Sequence, residues 1–208
     1  MNRRLRGLVQ ARRSLAGFFL AYYFALVVLG VVMGSGQTVF YAVFVAAGAG
    51  LVTLLYSRVP LSGLVLWGLA LWGLAHMVGG LVEVDGRVVY EWSLGGGQMR
   101  FDKVVHFFGF GFSALAAYEL VRGSFGSVAS ARAVAVVAGF IGLGVGAINE
   151  TIEFLITLLP GDSNVGGFSN TGWDLVANAA GATAASLLAP FLERSRAQGR
   201  TVDQSADL

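Results

Sequence analysis

The chain contains no cysteine, which excludes thiolate catalysis, disulfides and cysteine-based zinc sites. Charge is scarce too: Asp, Glu, Lys and Arg make up 12% of the 208 residues, against about 25% in a soluble domain. These four types are absent from 15–57, 59–82, 104–118, 133–149 and 175–192. Uncharged runs of about 18 residues or more read as membrane-spanning helices. That leaves no room for a sizeable soluble module. Proline occurs only three times, where helices begin or end. Pro60 precedes the third run, Pro160 stops the fifth, and Pro190 is expected to kink the end of the sixth. There is no heptad array, tandem repeat or low-complexity tract.

What is present is apolar: 56% of residues are hydrophobic. The pattern predicts an all-α polytopic membrane bundle with helices at 15–33, 38–56, 61–79, 102–121, 132–159 and 172–193. Residues 1–14 form a basic N-terminus, 15–193 the membrane domain, and 194–208 a polar tail expected to be disordered. The N-terminal run is longer than a signal-peptide core and lacks an A-x-A site, so it is expected to stay as the first span. The fifth run would extend about 40 Å against a hydrocarbon core of about 30 Å. It must tilt, protrude, or break near Glu150. Glycines stud the spans and serve mainly for close packing.

The basic residues flank the helices, which points to lipid headgroups rather than nucleic acid. Placing the N-terminus in the cytoplasm puts eleven arginines inside and only Arg87, Arg100 and Lys103 outside. The positive-inside rule then predicts an inner-membrane protein with both termini cytoplasmic. Two outer connections are longer than the rest. One carries alternating valines around Asp85-Gly86, a hairpin signal; the other, "PGDSNVGGFSN", is a Gly/Asn/Ser loop.

Polar residues converge at the outer helix ends. His76 ends the third helix, and Asp102 and His106 open the fourth. Asn149, Glu150 and Glu153 lie in the fifth, and Asp174 and Asn178 open the sixth. The pairs Asp102/His106 and Asp174/Asn178 are spaced i,i+4, and Glu150/Glu153 i,i+3, so each pair shares a helix face. A carboxylate at mid-membrane costs about 2.5–3.5 kcal/mol on insertion scales, so these acids should face one another, not lipid. Four ionised carboxylates in one pocket need raised pKa values or a positive partner. Arg100 and Lys103 are nearby, but a divalent metal is the more compact answer. The expected ligands are Asp102, His106, Glu150, Glu153 and Asp174. Mg²⁺, Mn²⁺ or Ca²⁺ suit this oxygen-rich set better than Zn²⁺ or Fe. His76 and Glu150 are the candidate catalytic groups; Asn149, Asn178, Arg100 and Lys103 are candidate substrate-binding or supporting residues.

Plainer readings compete residue by residue. Asp102 could cap the fourth helix, and "TGWD" is box-like, so Asp174 could cap the sixth. His76 could bond a backbone carbonyl, and Asn178 could be interhelical glue. Glu119 and Arg122 read as an ion pair at the cytoplasmic end, and Trp67 and Trp72 as mid-span packing.

The stretch "DKVVHFFGFGFSALAAYEL" resembles the VanZ-like membrane proteins and the related YjdF-type inner-membrane proteins. Their pattern opens a helix with D-[KR]-x-x-H, here Asp102 to His106. It places an acid in the next helix, here Glu150 in "NETIEF". It opens a last helix with D-x-x-x-N-x-x-G, here Asp174 to Gly181. His76 in "AHMVGG" is similar to the YjdF-type pattern. The resemblance covers about residues 61–190. It departs at Glu153, where VanZ-like chains often have Gln followed by a Pro-x-Arg turn. The resemblance implies a polytopic membrane protein, with glycopeptide resistance associated with some VanZ members, and no established reaction.

The residues therefore point first to a metal-assisted hydrolase or transferase acting on a lipid headgroup or lipid-linked envelope component. The alternative is a non-catalytic lipid- or antibiotic-binding, envelope-protecting protein. A cation transporter ranks third, because the inner half offers almost no polar groups beyond Glu119.

Overall fold

The computed structural model describes residues 3–96, 99–126, 128–158 and 166–205, with side chains described from 12 to 196 within those ranges. Six α-helices follow in order: α1 (Arg3–Val32), α2 (Thr38–Arg58), α3 (Gly63–Leu81), α4 (Phe101–Phe125), α5 (Ala131–Thr157) and α6 (Phe168–Ser205). Each includes a segment long and apolar enough to cross a bilayer. The all-α polytopic architecture is the one the uncharged runs dictate.

Local signals set the helix starts. Ser62 caps α3 by accepting from the backbone N–H of Val65, and Ser130 caps α5 by accepting from Ala133. The 27-residue α5 is unbroken at Glu150. α6 starts earlier than expected, at Phe168, so Asp174 lies more than one turn inside it and is no cap. It also continues past 193 to Ser205, because Glu193, Arg194, Arg196 and Gln198 are good helix formers. The Pro160 stop and the whole of "PGDSN" lie outside the described residues.

The helices pack as two triangles, α1–α2–α3 and α4–α5–α6, joined mainly through α3 and α4. Small residues make the second triangle tight. A Cβ on Gly111 would lie 3.2 Å from the Gly181 carbonyl oxygen, and one on Gly181 would collide with the Phe107 carbonyl. α4 and α6 therefore touch backbone to backbone, with Ala114, Ala182 and Ala185 buried beside the contact. A larger aromatic cluster, centred on Tyr22, Tyr41 and Met77, fills the first triangle.

Between α3 and α4 the chain makes a short antiparallel hairpin, β1 (Glu83–Val84) and β2 (Arg87–Val88), then one 3₁₀ turn, Val89–Glu91. Asp85 and Gly86 both take positive φ, 54° and 74°, as a two-residue hairpin turn of this kind requires. The opposite end of the bundle is closed by ion pairs. Glu119 and Arg122 do not pair with each other as expected. Glu119 accepts from Arg196 Nη1 at 2.5 Å and from the Ser62 backbone N–H at 2.7 Å, while Arg122 Nη2 donates to Glu193 at 2.7 Å. The close approach of α6 places its charges within reach of both α4 residues, which i,i+3 spacing alone could not reveal.

Candidate functional site

The α4–α6 contact sets the register of the polar residues at the hairpin end. His106 on α4 places Nδ1 3.0 Å from Asn178 Oδ1 and 3.2 Å from Glu150 Oε1. Gly146 on α5 sits flush against the Asn178 side chain, so Asn178 Nδ2 can donate to Glu150 Oε1 at 3.1 Å. The donor sense follows from chemistry. A carboxylate accepts, so the Asn178 amide must turn its NH₂ to Glu150 and its oxygen to His106. Nδ1 of His106 then carries a hydrogen, and in the neutral ring Nε2 keeps its lone pair; Nε2 lies 3.7 Å from Asp174 Oδ1. On the same helix as Glu150, Asn149 Nδ2 donates to Glu153 Oε1 at 2.7 Å.

Two amides thus engage one atom each of His106, Glu150 and Glu153. One ligand atom from each of these three residues lies within 4.8 Å of the other two. Metal–ligand bonds of about 2.0–2.6 Å span that separation. Glu150 Oε2 is buried and accepts no hydrogen bond, although the residue is only 5% exposed.

Asp102 and Asp174 are arranged differently. Lys103 Nζ donates to Asp102 Oδ2 at 2.8 Å, Asn170 Oδ1 at 2.8 Å and Asp174 Oδ1 at 2.7 Å. Asn170 also donates to the second oxygen of Asp174 at 2.6 Å. The lysine ammonium fills its three donor positions with buried acceptors and neutralises one of the two charges. Asp102 is not the cap of α4: Arg100 holds the N-cap position, and Asp102 Oδ1 accepts only from the adjacent Lys103 backbone N–H, at 2.7 Å. Counting charges, Asp102, Glu150, Glu153 and Asp174 face one permanent cation, Lys103, and one titratable group, His106, near Glu150 and Asp174. Arg100 enters through its backbone, bridged to Ser93, and no hydrogen bond from its guanidinium is formed among the described residues.

His76 stands across the cleft, on α3. It is buried among the rings of Tyr41, Phe44, Trp72 and Tyr90, with centroids 4.9–5.9 Å away. Its Nδ1 is hydrogen bonded to the Tyr90 hydroxyl. The consecutive Gly79 and Gly80 make this possible: a Cβ on the first would strike the Tyr90 ring, and on the second the Tyr41 ring. Burial, together with Tyr41 and the carboxylates of Glu153, Asp102 and Asp174, holds the Tyr90 phenol well above its ordinary range.

The two walls enclose a cavity of about 50 Å³, bordered by His76 and Tyr90 on one side and Asp102, His106, Glu153 and Asp174 on the other. Its remaining border includes Phe40 and Tyr41 from α2 and Gln37 just ahead of it. A water needs at least about 10–15 Å³ on this measure, so the space suits a hydrated ion or a small polar group. Five helices and the 3₁₀ turn that follows the hairpin therefore meet at one polar site, and all the expected residues except the Arg100 side chain take part in it. Tyr90, Asn170 and the α2 residues were not legible. Tyr90 follows the Asp-Gly hairpin signal, which indicated a turn but not its direction. The glycine pair beside His76 was the one available hint that rings pack over that histidine.

Comparison with known proteins yields one family. Its description is predicted membrane protein (DUF2238), and it matches residues 14–195. No curated protein and no solved structure matches the chain. The match does not extend to the VanZ or YjdF names that the motifs resemble. Because it runs through the apolar segments of all six helices and through every residue of the polar site, the chain belongs to the DUF2238 family of membrane proteins.

Proposed function

We propose that the protein holds a divalent cation on His106, Glu150 and Glu153, and that the loaded pocket acts on a lipid headgroup or lipid-linked envelope component by hydrolysis or transfer. Two observations carry this reading: one ligand atom each of His106, Glu150 and Glu153 lies within 4.8 Å of the others, and Glu150 keeps a buried oxygen, Oε2, without a hydrogen-bond partner. Asn178 and Asn149 supply the outer support that metal ligands require. Charge supports a divalent ion: Lys103 is committed to Asp102 and Asp174, and the titratable His106 beside Glu150 can offset at most one of the two charges of Glu150 and Glu153. The five ligands expected from spacing thus narrow to three. Mg²⁺ and Mn²⁺ suit two carboxylates and one imidazole, and Zn²⁺ is the competitor.

Such an ion supplies Lewis acidity toward a phosphoryl or acyl oxygen. His76, on the facing wall with Tyr90, is the candidate general acid or base. The positive-inside count places this end of the bundle outside the cytoplasm, where lipid-linked envelope precursors are exposed. The motif-level resemblance to VanZ-like proteins agrees with an envelope role.

The test is metal content after purification in mild detergent, followed by calorimetric titration with Mg²⁺, Mn²⁺ and Zn²⁺. About one ion per chain is expected, lost in Glu150→Gln and His106→Ala and retained in Glu119→Gln at the far end. Wild-type protein that binds none of the three would overturn the reading. A second reading, binding without turnover, is favoured by the small cavity and by the lack of a serine or cysteine nucleophile motif. It predicts a specific lipid that co-purifies in a Glu150-dependent way and is recovered chemically unchanged.

A further inference from the structure

Behind the main cavity lies a second one, of about 10 Å³, bordered by Trp72, His76, His106, Phe110 and Asn149. That is about the room one water needs. Two of its bordering residues carry a buried polar atom without a hydrogen-bond partner: His76 Nε2 and Trp72 Nε1. Only a few buried polar groups per hundred residues stay unsatisfied, so two beside one water-sized space call for an occupant. A third neighbour, Asn149, commits its NH₂ to Glu153 and has its carbonyl oxygen available as an acceptor.

We infer that this cavity binds one structural water, which joins His76 to Asn149 and so connects the hairpin to the metal-binding carboxylate Glu153. The valences close. Trp72 has only an N–H, so the water accepts from it. Asn149 Oδ1 has only lone pairs to offer, so the water donates to it. His76 satisfies either remaining position, donating when Tyr90 donates to Nδ1 and accepting when Nδ1 donates to Tyr90. The result is one hydrogen-bonded line: Tyr90, His76, water, Asn149, Glu153. Both of its ends, Tyr90 and Glu153, border the main cavity. His76 is thereby a positioning residue as well as a candidate acid or base. It ties the aromatic wall to the state of the carboxylate wall, and Trp72, placed among packing residues by its sequence position, is the donor that fixes the water.

The second half of this inference rests on the proposed cation site, and the experiment separates the two. His76 and His106 are the only histidines in the chain, so ¹⁵N-histidine labelling gives two assignable residues. In detergent-solubilised wild type, nuclear Overhauser transfer from long-lived water to the Trp72 indole hydrogen and the His76 ring is expected. Absence of transfer to both overturns the water site, whatever the metal result. On titration with Cd²⁺, used as the diamagnetic probe ion, His106 should shift on ligation and His76 should shift with the same midpoint. In Trp72→Phe the His106 shift should remain and the His76 response be lost. A His76 response that persists in Trp72→Phe, or is missing in wild type while His106 responds, overturns the connection. If His106 does not respond, the cation reading fails and the water measurement alone decides the site.

Discussion

Replacing Lys103 with Met tests how the acids at the hairpin end are held. Met keeps the length and apolar bulk of the stem and removes the ammonium. Lys103 is 6% exposed and Asp174 1%, so the charges left behind are largely shielded from bulk water. Three hydrogen bonds of 2.7–2.8 Å are lost at once, two of them to carboxylates. Removing one partner of a buried ion pair costs about 3–5 kcal/mol, because the remaining charge stays desolvated. A loss of that size is expected in reversible unfolding in mixed micelles. Adding Asp174→Asn removes the stranded charge, so Lys103→Met/Asp174→Asn should be more stable than Lys103→Met alone by about 2 kcal/mol. The comparison is Arg196→Met at the other end. There the arginine side chain is 38% exposed, and the loss of a half-exposed pair should cost at most about 1 kcal/mol. If Lys103→Met costs less than about 1 kcal/mol, or the double variant is no more stable than the single one, the lysine is not neutralising these acids.

Asn178→Leu should leave the bundle folded yet weaken Mn²⁺ binding by about 10–100-fold in calorimetry, because the amide orients both His106 and Glu150; unchanged affinity would remove Asn178 from the site. Gly181→Ala should destabilise the protein in thermal melts by forcing α4 and α6 apart, whereas Gly144→Ala meets open space and should stabilise it by up to about 1 kcal/mol; equal effects would refute the backbone contact. Tyr90 should stay protonated as pH rises past the ordinary phenol range near 10, so Tyr90→Phe should remove no step from the alkaline absorbance titration there. Because the unfolded chain ionises this phenol first, Tyr90 also makes stability fall as pH climbs above about 10, and Tyr90→Phe should flatten that part of the curve.

Much of the site was legible because membrane burial makes charge expensive. Asp102, His106, Glu150 and Asp174 stand out as the polar residues of otherwise apolar runs, and i,i+4 spacing places them on shared faces. The turn at Asp85-Gly86 was equally plain, since only certain residues accept positive φ. Partner choice was not legible. Five ligands looked equivalent along the chain, yet Lys103 reaches two of them and two asparagines orient the other three. Glu119 and Arg122 looked like a pair, and each found a partner on α6 instead. Asn170, eleven residues beyond the expected end of α5 at 159, could not be joined to Lys103 without knowing where α6 begins.

The sequence by itself determined the six apolar helices, the polar end of the bundle and the hairpin, because each follows from local rules: hydropathy, helical periodicity and turn conformation. Only the tertiary structure decided which acids a lysine neutralises, which carboxylate oxygen is left without a partner, and which rings close over His76. Those outcomes depend on how closely helices remote in the chain approach, and backbone contacts such as that of Gly111 with Gly181 set that distance to within an ångström.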